Sequence, residues 1–465
     1  MKILLLQPPV AEKNITSFMY PPMGLIALAA YLKSAGHEVL LYDANIEDSP
    51  IEGILNLIKT ESPKIVGLGV MSVNAYRAFS IARLIKGYSK NIIVIAGGVH
   101  PTVEPHHTLE CPDIDFIIRG EGELTVTELL KALKEKRDDF SKIPGLGFKK
   151  ENQVILTSFR DLIPDINILP IPSYELFNIK KYWGPYTSRT PFMIMTRSRG
   201  CPFLCTFCGV TKMFGRRYRV QTPQRSIKEV DYLVNQLGIK EIGFKDSEFT
   251  LDPRNVEEFC DLLIERNYDL TWNCNGRVNH VTPSLLAKMK RAGCYSITYG
   301  IESGDQKILD NIKKQITLPQ IRETMKMTRE AGLQVIGNFM IGNPGDTRKT
   351  IKKTIDFAKE LKLDYAYFGF TTPFPGTELR DEAIKNGWIL DKSMEAVKYE
   401  DCIMNATSLP TQELKTYLNK AYRSFYFRPS YIFKRLKKLS RNEMYNSVRG
   451  AWAIFKDGLR VKFNS

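Results

Sequence analysis

The chain has 465 residues, enough for about three domains at roughly 150 residues each. Hydrophobic residues make up 43% and charged residues 25%, which is typical of globular proteins and argues against a disordered chain. No run approaches the roughly 18 apolar residues that a membrane span needs. The start MKILLLQPPV is too short in apolar residues for a signal peptide, so we expect a cytoplasmic protein.

The formal net charge of +15 is concentrated at the end of the chain. Residues 422–465 hold eleven Lys or Arg against two Asp or Glu, more than half of the whole excess. The rest of the chain is nearly balanced, and we therefore expect no nucleic-acid partner.

The first 140 residues alternate short apolar runs with helical patterns. The predicted strands are Ile3–Gln7, Val39–Tyr42, Ile65–Val70, Ile92–Ala96 and Phe116–Arg119. The predicted helices are Pro21–Ser34, Ile51–Lys59, Ala75–Lys86 and Glu123–Lys136. This alternation predicts a doubly wound, Rossmann-like (flavodoxin-like) α/β domain with a parallel sheet. Ligands of such domains bind at the carboxyl ends of the strands.

Residues 141–190 lack clear periodicity and are rich in proline and glycine, which predicts a linker. The alternation restarts in residues 191–400. Six strands are predicted at Phe192–Thr196, Glu241–Lys245, Leu270–Asn275, Ser296–Gly300, Gln334–Met340 and Ala366–Phe370. Six βα units suit a partial (βα)6 TIM-like barrel, whose loops after the strands share one face. Residues 401–465 are predicted to be a basic helical region.

Three of the eight cysteines stand within eight residues, at Cys201, Cys205 and Cys208. The other five are scattered, which does not fit a disulfide framework and favours a metal site in a reducing compartment. A structural zinc site needs four ligands, and no further cysteine or histidine stands near the three. Iron–sulfur clusters also normally take four thiolates. Three thiolates on a cubane would leave one iron open to a small molecule, although the zinc alternative stays open.

The Cys-x3-Cys-x2-Cys loop after the first barrel strand, with Phe207 before its last cysteine, resembles the radical S-adenosylmethionine (radical SAM) superfamily. The resemblance implies a [4Fe-4S] cluster on the three cysteines and SAM on the open iron. It also implies that Glu302 and Ser303 of the GIESG segment contact the ribose, that Arg277 pairs with the SAM carboxylate and that Gly342 lines the adenine. Alternatively, Glu302 and Arg277 are ion-paired barrel residues, and the glycines form ordinary turns.

The first domain resembles the cobalamin-binding domain. Ser72 and Gly97-Gly98 follow the third and fourth strands, and Glu121 lies in an RGEGE segment that also fits this family. The family's histidine motif is missing, since Pro21 stands in the histidine's place if Gly24 matches the motif glycine. The resemblance therefore implies cobalamin without a lower histidine ligand. His100, His106 and His107 give only a weak indication of a metal site.

Together the two resemblances imply a cobalamin-dependent radical SAM enzyme. Reductive cleavage of SAM would give a 5′-deoxyadenosyl radical, the radical would abstract hydrogen from an unactivated carbon, and methylcobalamin would deliver a methyl group. The alternatives are a cobalamin-dependent oxidoreductase or cyclase without methyl transfer, and a non-catalytic cobalamin or cluster sensor. No residue is nominated as an acid–base catalyst. The implied partners are a small-molecule or lipid-like substrate and an electron donor such as flavodoxin or ferredoxin.

The segment 423–438 interleaves aromatic residues with positive charge. Such segments bind anionic membrane surfaces, which suggests peripheral contact with the inner membrane face. The alternative is a solvated basic face that covers the barrel with its aromatic residues packed inward.

Overall fold

The computed structural model describes residues 1–10, 20–182, 184, 187–391 and 401–436. The part of the predicted basic region beyond residue 436 lies outside the described residues. None of the described helices combines the length and the apolarity that crossing a membrane requires.

The amino-terminal domain is built on a seven-stranded sheet of order β2-β1-β3-β4-β5-β6-β7. Its strands are β1 Lys2–Gln7, β2 Glu38–Asp43, β3 Ile65–Gly69, β4 Ile93–Gly97, β5 Phe116–Ile118, β6 Leu146–Lys150 and β7 Gln153–Leu156. Its helices are α1 Met23–Ser34, α2 Pro50–Glu61, α3 Ala75–Tyr88, α4 Val99–Val103, α5 Pro105–Glu110 and α6 Gly122–Lys134. The first five strands are parallel, which confirms the predicted doubly wound sheet.

The segment predicted as a linker contributes structure to both domains. Strands β6 and β7 form a hairpin that extends the sheet antiparallel to β5, beyond the predicted boundary at residue 140. Its turn residues Glu151 and Asn152 both have positive φ, as a tight two-residue hairpin turn requires. Further on, the hydroxyl of Tyr182 donates to Asp43 and that of Tyr174 to Glu229, so the segment is anchored on both domains.

The second domain holds a six-stranded sheet of order β15-β14-β13-β12-β11-β8, parallel throughout. Its strands are β8 Phe192–Met195, β11 Glu241–Phe244, β12 Thr271–Gly276, β13 Cys294–Glu302, β14 Gln334–Ile341 and β15 Tyr365–Phe370, with the short pair β9 Ser198–Arg199 and β10 Arg219–Val220 beside them. The helices are α7 Val210–Phe214, α8 Pro223–Asn235, α9 Pro253–Arg266, α10 Pro283–Arg291, α11 Gln306–Asn311, α12 Leu318–Glu330, α13 Arg348–Glu360 and α14 Glu378–Lys385. Each long helix packs outside the sheet, which confirms the predicted partial barrel.

The carboxy-terminal helices α15 Thr411–Tyr426 and α16 Pro429–Leu436 cover the edge strand of the barrel. The hydroxyls of Tyr422 and Tyr426 each accept from and donate to backbone groups of β15, and Tyr431 donates to Asp364. These bonds satisfy an edge that would otherwise present unpaired backbone groups. In the described part of this region, these three aromatic residues therefore pack inward on the barrel, as the second reading of the segment expected.

Candidate active site

The three cysteines lie on a loop that follows β8 and is held by backbone contacts at both ends. Gly200 has a φ of +86°, and a Cβ there would lie 2.2 Å from the carbonyl oxygen of Arg217. Only glycine fits such an approach. At the other end, the backbone of Thr206 donates to Ile312 at 3.1 Å and accepts from Leu379 at 2.9 Å. The loop is therefore positioned by the segment between α11 and α12, which contains Ile312, and by the start of α14, which contains Leu379.

Cys201, Cys205 and Cys208 are free, half-buried thiols. Burial is the largest influence on Cys201 and Cys208 and raises the pKa of both thiols, and the charge of Cys205 raises both further. The thiols are thus electrostatic neighbours. The positive charge of Lys314 acts in the opposite direction and lowers the pKa of Cys208. A positive group beside the loop favours the thiolate form that an iron–sulfur cluster requires.

Within the described ranges, no three His, Cys, Asp or Glu side chains are close enough to hold a single metal ion. A [4Fe-4S] cluster places its thiolates on different irons, so it does not need them around one ion. The donor set, three free thiols on one loop with a neighbouring cation, fits such a cluster.

Arg277 and Lys314 form a cationic wall beside the loop. The guanidinium of Arg277 stacks 3.6 Å from the ring centroid of Phe203, which lies between the first two cysteines, and it donates to the backbone oxygen of Lys314. The ammonium of Lys314 lies 5.9 Å from the ring centroid of Phe207. The predicted SAM contacts Arg277 and Phe207 are thus brought to the cysteine loop.

Glu302 ends β13 in the left-handed region, with a φ of +67°, where the pairing with β14 shifts register. Its carboxylate accepts from the buried ammonium of Lys314 at 2.8 Å. A Cβ on Gly300 would lie 2.3 Å from this carboxylate and 2.7 Å from the ammonium, so the glycine makes room for the ion pair. Glu302 is therefore ion-paired, in agreement with its alternative interpretation as an ion-paired barrel residue. The ion pair with Lys314 lies beside the cysteine loop.

Ser303 and Gly342 form hydrogen bonds within the loops that carry them. The Ser303 hydroxyl is 3.2 Å from that of Thr354 and accepts from the backbone of Asp305. Gly342 has a φ of +87° and donates its N–H to Asp346 at 3.1 Å. Both residues shape the loops at the carboxyl ends of β13 and β14, and their roles toward SAM stay predictions.

Glu248 is a buried acid at the mouth of the barrel. Its carboxylate accepts from the Thr250 hydroxyl at 2.7 Å and from the backbone of Arg277 at 2.9 Å. Burial outweighs these bonds and raises the pKa of Glu248 to about 7. This carboxyl positions the loop that carries Arg277 and exchanges a proton near neutral pH.

A cavity of about 1280 Å³ lies between the two domains. It exceeds the roughly 300–1,000 Å³ of sites for drug-sized ligands, so it suits a larger one. On the first domain its wall includes Gly97 and Gly98, as predicted for cobalamin. On the barrel its wall includes Thr196 and Arg199, just before the cysteine loop.

One arm of this cavity enters the first domain between the sheet and helices α1 and α6. Its lining is apolar and includes Leu5, Ile95 and Leu130. A Cβ on Gly67 would lie 2.8 Å from a methyl group of Leu5, and one on Gly97 would occupy free space, with Ile118 as its one neighbour at 3.7 Å. The glycines therefore leave room in the arm.

Ser72 stands at the edge of this cavity, between the lining residues Met71 and Val73. Its hydroxyl is 3.3 Å from Nδ1 of His100, whose Nε2 is 3.0 Å from Nδ1 of His107. Burial and the charge of His107 lower the pKa of His100 to about 3, so this ring stays neutral. Ser72 thus supports the loop after β3 through a histidine pair that the sequence reading had assigned only weakly to metal.

Glu121 lines the cavity, but its carboxylate is held by the barrel. Arg199 pairs with it at 3.0 Å and Arg219 at 2.9 Å, and Arg199 also reaches Glu123 at 2.5 Å. Burial would raise the pKa of Glu121, but the bond from Arg219 and the charge of Arg199 lower it below its usual range. Glu121 therefore joins the domains directly before the cysteine loop.

Lys314, Arg199 and Arg219 were missed by the sequence reading. Lys314 lies twelve residues after Glu302 and belongs to no motif, while the two arginines stand in separate short strands. The one signal in the sequence was the surplus of positively charged residues next to the cysteine motif. Its meaning becomes clear only in the fold, which brings acidic residues close to them.

Comparisons with known proteins agree with this geometry. Residues 195–358 match the radical SAM superfamily model, and residues 16–130 match the B12 binding domain model. An uncharacterised methyltransferase of Pyrococcus horikoshii is 36% identical over 98% of this chain and 99% of its own length. The chain belongs to the cobalamin-binding radical SAM enzymes. The anaerobic magnesium-protoporphyrin IX monomethyl ester cyclase of Rubrivivax gelatinosus is 28% identical over 96% of this chain and 80% of its own length.

Among solved structures, the cobalamin-dependent S-adenosylmethionine radical enzyme OxsB, with aqua-cobalamin and SAM bound, shares the fold. The TM-score is 0.74 at 19% identity, over 96% of this chain and 70% of OxsB. The cofactors of this radical SAM enzyme are accordingly a [4Fe-4S] cluster, SAM and cobalamin.

Proposed function

We propose that this enzyme methylates an unactivated carbon of a small molecule. The observation that carries the proposal is the single cavity between the domains, which runs from Gly97 and Gly98 to the segment directly before the cysteine loop. When bound, the cluster and SAM supply a 5′-deoxyadenosyl radical and cobalamin supplies the methyl group. The chain's own part is to bring the two sites together and to exclude water.

In this proposal Cys201, Cys205 and Cys208 hold the cluster. Arg277 and the Glu302–Lys314 pair orient SAM beside it, the first as a planar cation suited to a carboxylate. Gly97 and Gly98 let the backbone approach cobalamin. Ser303, Gly342, Phe207, Ser72 and Glu121 complete the predicted contact set, with the last two acting through His100 and through the domain-joining arginines.

An electron donor is part of the proposal. Lys212, Arg216 and Arg217 are exposed on the segment that packs against Gly200 at the cysteine loop. A positive surface beside the cluster favours a small acidic carrier such as a flavodoxin or a ferredoxin, because opposite charges speed association. Contact of the basic carboxy-terminal region with the inner membrane face also stays a prediction, together with a cytoplasmic location.

The relatives favour two reactions. The Pyrococcus protein bears the name of a methyltransferase, whereas the Rubrivivax protein bears that of a cyclase, so radical oxidation without methyl transfer is the second candidate. The non-catalytic sensor is the third.

The test uses the full chain, reconstituted without oxygen with iron, sulfide and cobalamin, and given SAM and a strong reductant. For a methyltransferase we expect 5′-deoxyadenosine together with S-adenosylhomocysteine. Deoxyadenosine without S-adenosylhomocysteine indicates the cyclase or oxidoreductase reaction. Neither product, at an intact cluster, indicates either strict gating by the missing substrate or a sensor. Cys201→Ala removes both products, while Cys402→Ala, a half-buried cysteine away from the loop, serves as the matched control.

A further inference from the structure

A second, smaller cavity of about 250 Å³ lies inside the barrel. Its wall is apolar over most of its area but includes five polar side chains from neighbouring strands: Lys245 just after β11, Asn273 and Asn275 on β12, Thr298 on β13 and Asn338 on β14. A closed barrel core is normally filled by branched apolar side chains. Polar side chains around a void therefore indicate a binding chamber.

Lys245 is the cation in this wall. It is half-buried, and its ammonium lies 5.1 Å from the ring centroid of Tyr20. Within the described residues, it has no ion pair and no hydrogen bond to an acceptor. A buried charge without a partner is costly, so a counter-charge from a ligand would stabilise it.

The neighbouring acid of the same strand is not available to Lys245. Both carboxylate oxygens of Glu241 are occupied: one accepts from Tyr295 at 2.7 Å, and the other accepts from the backbone and hydroxyl of Ser188 and from the backbone of Arg189, each at 2.8 Å. The wall of the chamber contains no other charged side chain among the described residues. The wall itself therefore carries one positive charge. Burial lowers the pKa of Lys245, and the charges of Cys274 and Glu241 act in the opposite direction without bonding to the ammonium.

Two further groups in the wall are ready to bind a ligand. The Thr298 hydroxyl and the Asn338 amide make no side-chain hydrogen bond within the described part of the chain. Each is half-buried. They supply a donor and acceptors next to other lining residues, since Thr298 pairs in register with Asn275, and Asn338 pairs with Tyr367.

The chamber opens toward the cobalamin cavity. Tyr20, Lys245 and Tyr367 belong to the walls of both. A molecule held in the chamber would thus present its far end to the space between the two cofactor sites. The apolar arm of the larger cavity lies on the opposite side, inside the first domain.

We propose that the barrel chamber binds the substrate through a carboxylate or phosphate group that pairs with Lys245, while Thr298 and Asn338 bind neighbouring polar atoms. The inference rests on the proposed function and names its substrate class: a small polar anion, or a larger molecule with one anionic end. It disfavours a purely hydrocarbon substrate, because such a molecule would leave the ammonium buried without a counter-charge.

The experiment measures binding of two simple probes, radiolabelled inorganic phosphate and acetate, to the reconstituted holoprotein by equilibrium dialysis at constant ionic strength. We expect at least one probe to bind with saturation at one site per chain. Lys245→Gln should weaken it at least tenfold, about 1.4 kcal/mol. Lys245→Arg should restore most of the affinity, and Lys290→Gln, an exposed lysine on α10, should leave it unchanged.

Several outcomes would overturn the inference. These are binding of neither probe, equal binding by wild type and Lys245→Gln, or binding to the holoprotein that is lost as soon as SAM is added, which would assign Lys245 to that cofactor. If Lys245→Gln does not fold, protection of Lys245 from reductive methylation by the same probes, with Lys290 as internal reference, decides the question. Deoxyadenosine formation by the wild type is measured in parallel. This distinguishes failure of the proposed anion binding at Lys245 from failure of the radical reaction.

Discussion

The cysteine loop and the cavity between the domains are assembled in opposite ways. The loop carries its three ligands within eight consecutive residues, and tertiary contacts only orient them. The wall of the cavity comes from segments spread between residue 3 and residue 401. Ligands that are close along the chain keep their relative positions when the domains shift slightly. A cavity wall made of distant segments keeps its shape only if the two domains keep their relative positions. The two sites should therefore fail separately under mutation.

The largest expected effect concerns the loop. Cys205→Ser should remove the iron–sulfur absorbance and lower deoxyadenosine formation by at least a hundredfold, because a thiolate ligand is lost. Cobalamin binding should stay within threefold of wild type. Cys260→Ser changes a fully buried cysteine of α9 and should lower stability without removing the cluster. Joint loss of cluster and cobalamin in Cys205→Ser would show that the sites are not independent.

The second largest effect is expected from a substitution at the junction of the two domains. Glu121→Ala leaves Arg199 and Arg219 without their shared carboxylate, and breaking a buried ion pair costs about 3–5 kcal/mol. We expect a lower unfolding midpoint in urea together with weaker cobalamin retention. Glu128→Ala, which removes a more exposed partner of Arg160, is the control. Weaker cobalamin binding at unchanged stability would instead support a direct contact of Glu121 with the cofactor.

The cavity arm is tested by Gly97→Val. The added methyl groups enter the open arm, with Ile118 as the one neighbour within 4 Å of the new Cβ. We expect the dissociation constant of cobalamin to rise at least tenfold, about 1.4 kcal/mol, at normal cluster content. Titration followed by cobalamin absorbance measures this. Gly87→Val, placed in open space on α3, should bind as wild type does. Normal binding by Gly97→Val would mean that cobalamin does not use the arm.

The smallest effect concerns Glu248. Its pKa of about 7 lies above the usual value of 4.5, so its contribution to stability is present below pH 4.5 and is lost as the pH rises through 7. Between pH 6 and pH 8 the wild type should lose about 1 kcal/mol relative to Glu248→Gln, which cannot ionise. Urea unfolding of the cofactor-free chain at both pH values tests this. Parallel pH profiles of the two proteins would contradict the assignment.

The alternation of apolar runs and the cysteine spacing are local properties. The first was sufficient for the two-domain fold, and the second predicts the cluster ligands. The hairpin β6–β7 was missed because its strands are short and lack clear alternation, and only pairing with β5 stabilises them. The roles of Glu302 and Glu121 toward the cofactors stay predictions, but both residues were named from the sequence. Their partners Lys314, Arg199 and Arg219 were not, because an ion pair between distant positions leaves no periodic trace in the chain.

The sequence by itself therefore determined the two α/β folds and the parallel strands of both sheets, and it nominated the three loop cysteines as cluster ligands. These follow from side-chain periodicity and from ligands that are close along the chain. Only the tertiary structure decided which charges meet across the domain junction, that tyrosine hydroxyls bond to the edge strand of the barrel, and that a chamber with Lys245 in its wall lies inside the barrel. The physical reason is that burial and charge pairing depend on distances between segments, which form only when the chain is packed.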